Sequence, residues 1–150
     1  MKKQNNKGFS LVELIVVVAI MAVLMGILVP TLIKYVQQSK RQKDLSALEE
    51  YRAAMQEVLV SDEDYADLSG TYTGSDHIDI TSMDAEIDGD SDVVSAYQDD
   101  VAENIDAFDI SSKLYKGKEI VFTLEDGKNV VCTLAGKNIT EIKAKNKTLD

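Results

Sequence analysis

One acidic residue, Glu13, interrupts the most apolar stretch of the chain. Every residue from Leu14 to Val29 is apolar or glycine. A carboxylate costs about 2.5–3.5 kcal/mol at the centre of a membrane and less near its interface. Because a cationic group must neutralise such a charge, this residue type at this position predicts ion pairing.

The element that must carry Glu13 is a long helix. Residues 9–33 form an apolar run of about 25 residues, which is roughly 37 Å long as a helix, and the hydrocarbon core of a bilayer is about 30 Å thick. We therefore expect residues 9–33 to form one transmembrane helix.

The first eight residues, MKKQNNKG, are polar and basic. Lys2, Lys3 and Lys7 would hold this end of the chain in the cytoplasm by the positive-inside rule. A secretory signal is cut after its apolar segment at an A-x-A-like site, and residues 30–34 contain no such site. Taken alone, the pattern indicates a signal anchor.

The junction between the basic residues and the apolar run resembles the processing motif of type IV pilins, type II secretion pseudopilins and competence pilins. That family has a short basic leader, then Gly, Phe, Ser or Thr, Leu, a hydrophobic residue, Glu, Leu and a long apolar helix. The resemblance covers residues 1–60. The matching segment here reads Lys7-Gly8-Phe9-Ser10-Leu11-Val12-Glu13-Leu14.

This resemblance implies a prepilin with a type III signal peptide, in which residues 1–8 are the leader. A prepilin peptidase would cut between Gly8 and Phe9 and then N-methylate the new amine of Phe9. The Glu13 carboxylate would pair with the Phe9 amine of a neighbouring copy during assembly. The alternative is that Glu13 is a charge tolerated at the membrane interface.

Pro30 lies inside the apolar run, and its ring crowds the carbonyl of Gly26. Glycine is itself a poor helix former, so we expect a kink between Gly26 and Pro30. The family resemblance implies that this region loses helical structure inside a filament and lets it stretch. A static kink is the alternative.

The charge of the chain is uneven. The net charge is −10, which argues against a nucleic-acid surface. Residues 61–112 contain 16 acidic residues and no Lys or Arg, whereas residues 113–150 contain 8 Lys and 5 acidic residues. Neighbouring copies could pack head to tail through this asymmetry, and the simpler interpretation is a solvated face.

The acidic region contains a weak candidate for a calcium site. Carboxylates alternate in Asp84, Glu86, Asp88 and Asp92, with Gly89 after the third, as in the front half of a calcium loop. Ser95 stands where a bidentate Glu belongs, so a solvated acidic turn is the better interpretation and no metal or cofactor is expected. The lone Cys132 is interpreted as a core residue and the lone His77 as exposed.

Helical periodicity continues beyond the apolar run. We interpret residues 34–60 as an amphipathic continuation of the helix, residues 61–90 as loop with short extended pieces, and residues 91–108 as a second helix capped by Ser91 or Asp90. The predicted core positions of the long helix are Leu32, Ile33, Val36, Leu45, Leu48, Met55 and Leu59, with Ala47, Ala54 and Val58 beside them.

From residue 118 the period changes to two. Strands are predicted at 119–124, 129–134 and 138–145, with the Asp-Gly hairpin signal between the first two. The fold class is therefore α+β, with a long N-terminal helix packed on a small antiparallel β-meander (118–145). The meander and the acidic variable region (61–112) together form a globular head, 61–150.

The spacing of Ser, His and Asp indicates no catalytic set, so a structural subunit is expected and not an enzyme. The resemblance implies a single-pass precursor in the cytoplasmic membrane and then an extracellular or envelope-spanning filament. Its partners would be further copies, other pilins, the prepilin peptidase, and the assembly platform with its ATPase. The alternatives are a type II secretion pseudopilin and a monomeric membrane-anchored surface protein.

Overall fold

The computed structural model describes residues 10–125 and 127–147. It divides into two compact units, Met1–Gln38 and Ser39–Asp150. We call the second the head unit. Helix α1, Leu11–Ser61, runs through the first unit and into the head unit.

The second half of α1 supplies one wall of the core of the head unit. Its buried face repeats every three or four residues, as the sequence predicts. Tyr51 was not among the predicted positions and is 1% exposed, with its hydroxyl accepting a hydrogen bond from the backbone N–H of Ile80. The predicted positions Leu32, Ile33 and Val36 are exposed. The buried residues of α1 are Asp44, Leu45, Leu48, Tyr51, Met55, Val58 and Leu59.

A five-stranded antiparallel sheet forms the rest of this core. Its strands are β1 (Ser69–Gly74), β3 (Asp84–Asp88), β5 (Ile120–Glu125), β6 (Asn129–Leu134) and β7 (Lys137–Asn138), in the spatial order β3-β1-β5-β6-β7. The predicted alternation of β5 and β6 is confirmed, because Ile120, Phe122, Leu124, Val130, Cys132 and Leu134 are all buried.

Strand β1 lies inside the region that the sequence predicted as loop with short extended pieces, and it lies next to the central strand of the sheet. Its one large apolar residue, Tyr72, is fully buried and opposite Phe122. Gly70 has φ +135°, and a Cβ there would lie 2.1 Å from the carbonyl oxygen of Glu86. The glycines that suggested a loop therefore allow β3 to approach closely.

Helix α2, Ser91–Asn104, confirms the predicted second helix and ends earlier than expected. The Asp90 side chain caps it by accepting from the N–H of Asp92. Tyr97 is buried, and its hydroxyl donates to the carbonyl of Met55 in α1. Phe108 lies instead in β4 (Phe108–Asp109), which pairs with β2 (His77–Ile78) in a separate two-stranded sheet.

The predicted third strand of the meander, 138–145, is wrong. Only β7 is extended, and Ile139–Lys147 form helix α3. The Asn138 side chain accepts from the N–H of Thr140 and so provides a helix start. Ile139 and Ile142, three residues apart, are buried and half-buried, which is the spacing of one helical face.

Candidate functional site

The first described turn of α1 contains the predicted assembly residue. Glu13 is exposed, and its Oε2 accepts a hydrogen bond from the backbone N–H of Ser10 at 3.4 Å. The helix starts at the same place, where the N–H of Leu14 donates to the carbonyl of Ser10. Ser-x-x-Glu with this bond is half of a capping box, so Glu13 also satisfies a donor at the helix start.

The side chains that follow Glu13 form a continuous exposed apolar surface. Every residue from 11 to 36 is exposed. Of the 21 exposed large apolar side chains in the described part of the chain, 19 lie in this segment. Helix α1 is long and apolar enough to cross a membrane, with a mean hydropathy of 3.0 over its most apolar window. An apolar surface of this size must be covered by lipid or by other proteins.

The groups that could carry chemistry in the head unit do not converge. Cys132 is 1% exposed, and burial raises the pKa of its thiol to about 12, which suits a core residue and not a nucleophile. His77 is exposed as predicted, and its Nδ1 lies 2.7 Å from Oδ1 of Asp109. Among the described residues no group of three or more His, Cys, Asp or Glu side chains could hold a metal ion.

The calcium candidates lie on a strand and not on a loop. Asp84, Glu86 and Asp88 alternate along β3, and Asp92 is in the first turn of α2. Alternate residues of a strand are about 6.6–6.8 Å apart, whereas calcium ligands surround one ion at about 2.3–2.6 Å. This placement favours the interpretation of a solvated acidic edge.

The comparison with protein families decides between the interpretations of the N-terminal segment. Residues 3–29 match the model of the prokaryotic N-terminal methylation motif. The chain carries the type IV prepilin signal motif. This motif supports a type IV pilin-like or pseudopilin protein and points to a structural subunit. No curated protein and no solved structure gave a match.

The prepilin motif implies processing by a prepilin peptidase and assembly into pilus-like polymers, and its apolar helix fits a membrane-anchored precursor. Of the residues predicted to carry these steps, Gly8 and Phe9 lie outside the described residues. Glu13 lies at the exposed start of α1, one helical turn after Ser10. The matched segment ends at residue 29, so it includes Gly26 and stops just before Pro30.

Helix α1 runs through Pro30 without interruption. Pro30 has no N–H to donate to the carbonyl of Gly26. The next residue, Thr31, turns its hydroxyl back to the carbonyl of Ile27 at 3.2 Å, which gives this turn one additional bond. The expected kink between Gly26 and Pro30 stays a prediction.

Sequence reasoning missed one residue that organises the head unit. Asp44 on α1 is 2% exposed, and its carboxylate accepts hydrogen bonds from the N–H and hydroxyl of Ser111 and from the N–H of Ser112. A charged residue on the apolar face of a helix is the signal that could have indicated it, because a buried carboxylate must be hydrogen-bonded.

Proposed function

We propose that this chain is the structural subunit of a type IV pilus or a pilus-like filament. It is made as a single-pass precursor with its N-terminus inside, cut between Gly8 and Phe9, and methylated on Phe9. The assembly platform and its ATPase then draw it into a polymer through α1, and the filament serves adhesion, motility or DNA uptake. The observation that carries this proposal is a single carboxylate, Glu13, at the start of the exposed apolar part of helix α1, residues 11–36.

Glu13 gives each arriving subunit a reason to dock in one register. After cleavage, Phe9 bears a cationic amine one helical turn before Glu13. Opposite charges 4 Å apart attract by about 4 kcal/mol at an effective dielectric constant of 20, and leaving the carboxylate unpaired among apolar side chains costs more still. The amine of one copy and Glu13 of its neighbour therefore neutralise each other in the bundle of helices.

The mature N-terminus tests this proposal. We expect mass spectrometry of the protein from cells that contain a prepilin peptidase to find a chain that begins at N-methylated Phe9. The matched control is Gly8→Val, which places a branched side chain at the cut and should leave the chain uncut. A wild-type chain that still begins at Met1 would instead indicate a monomeric membrane anchor.

The type II secretion pseudopilin is the second candidate, because the methylation motif is shared by pilins and pseudopilins. Genes for the shared assembly machinery do not separate the two candidates. An assembly ATPase and a platform protein are expected beside both. The filament observed by electron microscopy, long and outside the cell or short and confined to the envelope, then separates the pilus from the pseudopilus.

A further inference from the structure

A groove of about 410 Å³ opens at one edge of the head unit. It lies between the loop that follows β4, the end of β6 with β7, and helix α3. Leu114 and Ile142 give it apolar walls. Leu114 is 51% exposed, and only one other large apolar side chain of the described head unit, Val60, is exposed. An exposed apolar side chain in a concave surface is typical of a contact site.

The groove is positively charged. Among the described residues that line it, Lys118, Lys137 and Lys145 are basic and Glu141 is acidic. It therefore has an excess of two positive charges on a chain whose net charge is −10. The ligand chemistry that fits is acidic, with some apolar surface to meet Leu114.

The loop that carries Leu114 and Lys118 is fixed from both ends. The buried Asp44 carboxylate holds Ser111 and Ser112, and the Asp76 carboxylate accepts from the N–H of Gly117. The loop thus needs little ordering when a partner binds, and a preformed surface retains more of its contact energy as affinity.

An acidic surface lies at the opposite edge of the same sheet. Strand β3 is the edge strand there, and the sheet order puts four strand spacings, or about 19 Å, between it and β7. No Lys or Arg occurs between residues 61 and 112. The exposed carboxylates of β3 and the start of α2 are Asp84, Glu86, Asp88, Asp90 and Asp92.

We propose that the lysine groove of one head unit binds the acidic β3 edge of a second copy of this chain. The two surfaces are complementary in charge and lie on opposite edges, so the contact is head to tail and leaves one free surface of each kind at the ends. Such a heterologous contact repeats without closing and generates a filament, whereas a two-fold dimer would pair one surface with itself. This inference rests on the proposed function, because a polymer holds the head units close together.

A second copy fits the groove better than a free polyanion does. A nucleic acid or an anionic lipid surface would also meet the lysines, but the proposed polymer holds the acidic edge of a neighbouring copy close to the groove at high effective concentration. The acidic edge supplies five exposed carboxylates that can pair with these lysines.

The test is cross-linking in filaments made from the full-length chain. One variant carries Lys118→Cys and the other Glu86→Cys, and filaments are assembled from each alone and from the mixture. The native Cys132 gives little background because it is buried. With a short bis-maleimide reagent we expect dimers in the mixed filaments, at about tenfold the yield from either variant alone. Dimers at equal yield in single-variant filaments, or no dimers at all, would overturn the proposal.

Charge reversal provides the second measurement. Lys118→Glu with Lys137→Glu should lower the filament yield about tenfold, and adding Asp84→Lys with Glu86→Lys should restore it. Lys128→Glu, at the exposed β5–β6 turn outside the groove, is the matched control and should have no effect. Normal filaments from the groove variant, or loss of binding to phosphatidylglycerol vesicles as its only defect, would contradict the inference.

These outcomes are distinct from failure of the proposed function. A wild-type chain that begins at Met1 and forms no filament would contradict the proposed function as a filament subunit. Filaments whose subunits begin at N-methylated Phe9 but give no mixed cross-link would contradict only the head-to-tail contact and would agree with the proposed function.

Discussion

The backbone N–H of Ser10 donates a hydrogen bond to Oε2 of Glu13, so the residue expected to drive assembly also caps its own helix. The two roles make different demands on the side chain. A cap needs only an oxygen acceptor, which Gln also supplies, whereas neutralising a neighbour's amine needs a negative charge.

Replacing Glu13 separates these roles. We expect Glu13→Gln and Glu13→Ala to be processed normally at Gly8 and both to fail in assembly, because neither carries the charge. Electron microscopy of filaments and mass spectrometry of the N-terminus are the measurements. If Glu13→Gln formed normal filaments while Glu13→Ala did not, capping would be the role of Glu13 in assembly.

Removing the Asp44 carboxylate should destabilise the head unit. Asp44→Ala leaves the donors of Ser111 and Ser112 without their acceptor, at an expected cost of about 3 kcal/mol in the free energy of unfolding. Asp44→Asn keeps one acceptor oxygen and should cost about half as much. Denaturant unfolding followed by tyrosine fluorescence in detergent measures both. The exposed Asp99→Ala is the control and should stay within about 0.5 kcal/mol.

The sequence was most informative where a period was long and unbroken. The apolar face of α1, the alternation of β5 and β6, and the Asp90 cap of α2 could all be predicted, because each depends on residues close together in the chain. The acidic β3 edge and the lysine groove were visible only as an uneven charge. Their positions at opposite edges depend on strand order, which no local pattern gives.

The errors have physical reasons. Strand β1 contains two glycines and one large apolar residue, so its strand propensity is low, and it is stabilised by pairing with β3 and β5 on both sides. Residues 139–147 carry only two large apolar residues, Ile139 and Ile142, which are too few to establish a period from the sequence. The Asn138 cap decides in favour of the helix.

Gly127 is expected to tolerate no side chain. It has φ +59°, and a Cβ there would lie 1.8 Å from the carbonyl oxygen of Ala66, which is backbone and cannot move aside. Gly127→Ala should therefore lower the free energy of unfolding by about 3 kcal/mol or more. Gly136→Ala is the matched control: it has φ +73° with open space around it, and should cost only about 1 kcal/mol. Equal losses in denaturant unfolding would contradict the clash.

Pro30 should set the local stability of α1. Pro30→Ala restores a hydrogen-bond donor for the carbonyl of Gly26 and should stabilise the helix locally by about 3 kcal/mol. We therefore expect amide exchange near residue 30 in filaments to slow about a hundredfold. Gly26→Ala, whose added Cβ meets nothing within 4 Å, should slow exchange only about fivefold. Unchanged exchange in Pro30→Ala would show that Pro30 does not weaken this segment.

Alkaline pH should unfold the head unit through its buried phenols and thiol. Burial raises the pKa of Tyr51 and Tyr72 from 10.0 to about 12, and raises the pKa of Tyr97 further. The Asp100 carboxylate, which accepts a hydrogen bond from the hydroxyl of Tyr65, raises the pKa of Tyr65 to about 12. Burial raises the pKa of the Cys132 thiol from 9.0 to about 12.

Since the folded chain holds these groups neutral and the unfolded chain ionises them at lower pH, their contribution to stability is complete below about pH 9. This contribution is lost as the pH rises from the ordinary pKa values, 9.0 for the thiol and 10.0 for the phenols, to the folded-state value of about 12. The chain has 6 Tyr and no Trp, so near-ultraviolet absorbance reports tyrosinate directly. We expect the absorbance of the buried tyrosines to rise together with unfolding above pH 10, in one cooperative step. A gradual rise at pH 10 with the head unit still folded would show that these phenols are not held neutral by the core.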